Sequence, residues 1–124
     1  MRSFVISVIL LTAVTAFVIV DIAIMKNYCA ELIELTDSLP KEEENYKDGK
    51  DTIDRISEKW QKRAVLISYL MDYREVDRVN IALSDMKNAF YSGDFQQYTV
   101  YSDEFRHAVI RLMQISSVTL ENIF

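Results

Sequence analysis

The sequence predicts an all-α protein in which an N-terminal transmembrane helix continues into an antiparallel, up-down bundle of three to four helices. Three observations carry that prediction. Residues 4–20 form an unbroken apolar run, FVISVILLTAVTAFVIV. At about 1.5 Å per helical residue it covers most of a hydrocarbon core of about 30 Å. Beyond it, apolar residues recur at alternating three- and four-residue steps, the spacing of helices packed along a seam. Finally, two Gly and one Pro in 124 residues leave too little turn chemistry for an all-β fold.

The first element is the anchor. The apolar run extends to Met25 when Asp21 sits at a membrane surface, which divides the chain into an anchor over residues 1–25 and a helical domain over 26–124. The run exceeds the short apolar core of a secretory signal, and of two small-residue cleavage sites, Val14-Thr15-Ala16 and Ile22-Ala23, the first lies inside it. An uncleaved signal-anchor, touching membrane lipid through residues 4–25, is therefore expected. Arg2 and the α-amino group precede the span, and Lys26 is the one basic residue soon after it. That bias orients the N-terminus to the cytoplasm and the domain outside it, as in a single-pass protein of the cell membrane.

The bundle elements follow by phase. Met25, Tyr28, Leu32, Leu35 and Leu39 form a first stripe continuous with the span, until Pro40 and the charged run KEEENYKDGK interrupt it. Asp48-Gly49 is a turn signal within that run. The second stripe is Ile53, Ile56, Trp60, Ile67 and Leu70, with Ala64 covering the step that Arg63 leaves polar. The third is Val76, Val79, Leu83, Met86 and Phe90, out of phase with the second, so the chain turns between Met71 and Val76. Asp72 and Glu75 have capping-box spacing for the new helix. Gly93 suits a left-handed helix end and Asp94 the next N-cap. The last stripe is Phe95, Tyr98, Phe105, Val109 and Leu112, widened by Tyr101, Ala108 and Ile115. Leu120, Ile123 and Phe124 are expected to dock on the bundle.

The anchor, the Trp in the middle of a helix, and Glu75-Val76-Asp77-Arg78-Val79-Asn80-Ile81-Ala82-Leu83-Ser84-Asp85-Met86-Lys87 together resemble DUF4363. The closing Leu120-Glu121-Asn122-Ile123-Phe124 is similar to the ending of that family as well. The resemblance spans nearly the whole length. It implies a small bacterial membrane-anchored protein of unknown function, of a kind found mostly in Firmicutes, and it brings no catalytic residues. Tyr73 stands where the family often has His, and Arg78 where it often has Asn. Asn45-Tyr46-Lys47-Asp48-Gly49 replaces a more helical segment.

Charge and residue chemistry narrow the function. Of 14 basic residues only Arg2 falls within the first twenty, and all 19 acidic residues come later. An acidic body repels phosphate backbones, so no nucleic-acid partner is expected, and charge-driven docking on anionic lipid is disfavoured. His107 is the sole histidine and Cys29 the sole cysteine, which excludes an internal disulfide and a typical zinc site. Glu42-Glu43-Glu44 with Asp48 does not have the spacing of a calcium loop and reads as a solvated turn. No nucleophile, base and orienting group suggest themselves, so no enzyme activity, metal or cofactor is expected.

The candidate structural or interaction residues are Trp60, Asp77, Asn80, Tyr91 and Tyr101. Asp77 and Asn80 lie three apart on one helix face and read as a buried polar tie fixing the turn, or as a partner contact. Most aromatics around Gly93 read as core, with Tyr91 and Tyr101 exposed. Cys29 reads as a packed thiol, or as an intermolecular disulfide that would make a homodimer. A non-catalytic interaction or structural subunit of an envelope complex, bound to a membrane or envelope protein, is the function expected. The alternative is an extracytoplasmic small-ligand-sensing bundle that acts through a partner.

Overall fold

A computed structural model describes residues 1–123; the side chains of Leu70 and of residues 117–123 lie outside the description, as does Phe124. The docking expected of Leu120, Ile123 and Phe124, and the place of Leu70 in the second stripe, therefore fall outside the described residues. Four α-helices follow one another: α1 Arg2–Asp37, α2 Lys50–Leu70, α3 Tyr73–Ser92 and α4 Phe95–Ile123, with a 3-10 helix Tyr46–Gly49 leading into α2. Sequential helices pack as antiparallel neighbours, and α4 also packs against α1, closing an up-down four-helix bundle. The closest packing is between α4 and its neighbours α3 and α1.

α1 is a single helix with two environments. Its apolar first half, with a mean hydropathy of 2.7 in its most apolar stretch, is unburied by the bundle and is long and apolar enough to cross a membrane. From Ile22 onward the same helix enters the core through Met25, Tyr28, Cys29 and Leu32. Residues 22–25 thus serve both the apolar run and the bundle.

The predicted stripes supply the core. Trp60, Phe105, Leu32, Ile53, Ile56 and Met86 are among its fully buried side chains. Leu35, Ala64, Tyr101 and Ala108 pack at its margin. Each fully buried large apolar side chain contributes about 1.5–3 kcal/mol relative to exposure. Buried hydroxyls are accommodated locally: Thr36 Oγ1 donates to the Leu32 carbonyl at 2.8 Å and Ser116 Oγ to that of Leu112 at 2.9 Å. Among the described residues no buried side-chain nitrogen or oxygen lacks a partner.

The connections show why the chain turns where it does. Gly93 ends α3 at φ 80°, the left-handed region glycine adopts at least cost, and Asp94 Oδ1 accepts from the Gln97 amide at 3.1 Å. Asp72 Oδ1 caps α3 by accepting from the Arg74 amide at 2.9 Å. The reciprocal half of the capping box is replaced, because the Glu75 carboxylate accepts from Arg111 Nε at 2.9 Å and ties α3 to α4.

The α1–α2 connection differs most from a solvated turn. Tyr46 is buried there, against Phe90, Phe95 and Tyr98, with ring centroids 5.1–5.9 Å apart. Gly49 has an ordinary φ, yet a Cβ on it would meet Pro40 Cδ at 2.9 Å and Leu39 Cδ2 at 3.3 Å. It is a point of close backbone approach rather than a flexible turn.

Candidate functional site

Tyr28 organises the α1–α2 face. It is buried at the core's edge, where its hydroxyl donates to the Lys59 backbone carbonyl. The Arg63 guanidinium lies 5.6 Å from its ring centre and Lys59 Nζ 5.8 Å, both within cation–π range. Lys59 also pairs with Glu31 across the two helices. Burial holds the Tyr28 hydroxyl protonated above the usual phenol range; Cys29 and Glu31 push the same way and Arg63 opposes them. Alongside runs an open groove of about 490 Å³, lined by Ile24, Asn27, Glu31, Arg55, Lys62 and Arg63 among others. No sequence pattern marks Tyr28 as more than a core position, because its partners come from α2.

Trp60 and Asn80 meet directly. Trp60 Nε1 donates to Asn80 Oδ1 at 2.6 Å, tying α2 to α3. This bond is not the buried tie at the turn expected of Asp77 and Asn80. It joins the middle of two helices instead of fixing the turn, and Asn80 is exposed while its partner is buried. Asp77 is half-buried and takes no part in this bond.

The two singled-out tyrosines separate. Tyr91 is exposed; its hydroxyl donates to Asp54 Oδ1, a bond that raises its pKa above the ordinary value, and its ring stands edge-on to Phe90 at 5.3 Å. Tyr101 is half-buried against the core margin. The bond from Tyr91 latches α3 to α2 much as the Trp60 bond does.

Cys29 has no accessible surface, and desolvation pushes its thiol up to about 12. A thiol so placed packs as a small apolar group, and a disulfide to a second chain would require the bundle to open. His107 is exposed, beside Ile81, Glu104 and Arg111 in an apolar groove between α3 and α4. Among the described residues no three imidazole, thiol or carboxylate side chains converge.

A larger groove of about 690 Å³ opens between α4 and the end of α1, lined by Asp37, Pro40, Tyr98, Ser102 and Arg106. Arg106 Nε there pairs with Asp37 Oδ1 at 2.7 Å, spanning the mouth.

These features can be set beside known proteins. The family described as a domain of unknown function, DUF4363, matches residues 19–123, so the chain belongs to that family. No curated protein matches, and no solved structure does.

Proposed function

We propose that this DUF4363 chain is a non-catalytic, single-pass interaction subunit that holds a preassembled helical bundle at the surface of the cell membrane for an envelope protein partner. The N-terminus lies in the cytoplasm and the bundle outside it. The observation that carries the reading is α1: one unbroken helix of 36 residues whose first half is apolar and uncovered and whose second half is core. A span and a folded domain joined without a linker fix the domain's height and tilt on the membrane. Such rigid placement suits a protein that presents surfaces to a neighbour.

The test is retrieval of the full-length, C-terminally tagged protein from native membranes after mild crosslinking. One reproducible, stoichiometric membrane protein supports the reading, whereas recovery of the chain alone counts against it. A ligand-sensing role has one observation in its favour, the groove beside Tyr28, where Arg55, Lys59, Lys62 and Arg63 face Glu31 and Glu58. A thermal shift with a small anion would bring that role forward, since a bound ligand stabilises by mass action.

A further inference from the structure

The base of the bundle, where α2 turns into α3, carries apolar side chains that are largely exposed. Val65, Leu66, Tyr69 and Tyr73 are exposed, Tyr69 to 83% and Tyr73 to 71%. They flank the Met71–Asp72 turn at one end of the molecule.

Two observations say what covers them. The first is register. Arg63 stacks on Tyr28, and Leu66 and Ile67 share a cleft with Asp21, Ile24 and Met25. Tyr69 lies six residues beyond Arg63, about 9 Å further along an antiparallel helix, which brings it opposite Ile22. The turn is therefore level with the end of the apolar run of α1.

The second is a change along the exposed face of α2. Asp51, Asp54, Arg55, Glu58, Gln61, Lys62 and Arg63 are solvated there, and from Val65 onward Val65, Leu66 and Tyr69 replace them, interrupted by Ser68, whose hydroxyl donates to the Val65 carbonyl. The outward face becomes apolar and aromatic where the helix reaches the level of the span. Tyr, with an apolar ring and a polar tip, is the side chain enriched where hydrocarbon meets headgroups. Lys62, Arg63 and Arg74 flank this face, Lys62 paired with Glu58, Arg63 set over Tyr28 and Arg74 paired with Asp72.

We infer that Val65, Leu66, Tyr69 and Tyr73 are immersed in the headgroup boundary of the same bilayer that α1 crosses, giving the bundle a second foothold beside its span. The inference rests on the proposed membrane span of α1. The contact is made by apolar and aromatic side chains; Asp72, exposed in the same turn, caps α3 and pairs with Arg74 at 3.3 Å, while Glu42, Glu43, Glu44 and Asp48 lie in the α1–α2 connection at the opposite end.

The experiment uses the full chain in vesicles of phosphatidylcholine, with an environment-sensitive fluorophore on L11C, Y69C, Y73C or E43C. The wild-type chain, whose Cys29 is buried, gives the background. Nitroxide quenchers are placed either near the lipid headgroup or deep in the acyl chain. Expected are loss of most emission from L11C with the deep quencher, loss from Y69C and Y73C with the shallow one, and none from E43C. If L11C is quenched while Y69C and Y73C stay in water, the foothold is overturned and the span stands; that face would then belong to a protein partner. If L11C is not quenched by lipid, the span itself is overturned, and the foothold with it.

Discussion

The two ends of the bundle use tyrosine in opposite ways. At the end far from the apolar half of α1, Tyr46 and Tyr98 turn inward and share a cluster with Phe90 and Phe95, sealing the α1–α2 connection over the core. At the base, Tyr69 and Tyr73 turn outward beside Val65 and Leu66. Tyr46 and Tyr98 are buried because neighbouring elements cover them, whereas Tyr91, near the same end, is covered only in part and stays exposed. At the far end the 3-10 helix and the start of α4 provide that cover, whereas the Met71–Asp72 turn is too short to fold back. The difference teaches that exposed aromatic area follows connection length as much as composition.

Parallel substitutions break or sharpen this contrast. Tyr46→Ala should cost the most, about 3 kcal/mol, since it removes a buried ring with three ring neighbours. Thermal unfolding of the full chain in detergent, followed by circular dichroism, measures it; a loss under about 1 kcal/mol would mean the cluster does not seal that end. Gly49→Ala comes next at about 1–3 kcal/mol, because its Cβ would press on the Pro40 ring, which cannot swing away. Asn80→Ala, between the two ends, should cost about 1 kcal/mol: the Trp60 N–H loses its acceptor, but the bond lies close enough to the surface for water to substitute. Tyr69→Ala should stay within about 0.5 kcal/mol, since the ring is not part of the fold's interior.

The smallest effect concerns pH. An exposed thiol becomes mostly thiolate between about pH 7 and about pH 9 and alkylates correspondingly faster. Cys29, held up to about 12 by burial and without accessible surface, should alkylate far more slowly than an exposed thiol throughout that range while the bundle stays folded. Because its folded value is raised, its contribution to stability is intact below the ordinary thiol range and is lost as the pH climbs through about 12. A rate as fast as that of an exposed thiol, levelling off as the pH passes the ordinary thiol range, would place Cys29 at the surface.

The stripes were legible because helix periodicity is a local property. Ile53, Ile56, Trp60, Val79, Met86, Phe105 and Val109 are core positions that their spacing alone identifies, and Gly93 and Asp94 mark their turn by backbone preference. Tyr46 was not legible. It sits among eight charged or turn-forming neighbours, and its burial depends on Phe90, Phe95 and Tyr98, more than forty positions away. The role of Tyr28 was equally hidden, since the Lys59 carbonyl and the Arg63 guanidinium reach it only once α1 and α2 lie side by side. Asp72 was correctly placed as a cap, but the partner of Glu75 was not, because a carboxylate at that position chooses between its own helix end and a cation from α4.

By itself, then, the sequence determined the all-α class, the apolar stripes, the turns at Met71–Asp72 and Gly93 and the apolar first half of α1, because these follow from periodicity, hydropathy and turn chemistry along the chain, and its motifs pointed to the family. Tertiary structure alone decided that Asn80 binds Trp60, that Cys29 is sealed, that Gly49 is a close approach, and that the Met71–Asp72 turn stands level with the end of the apolar run. Each of these depends on the register between helices, and register is set by packing across the bundle rather than by order along the chain.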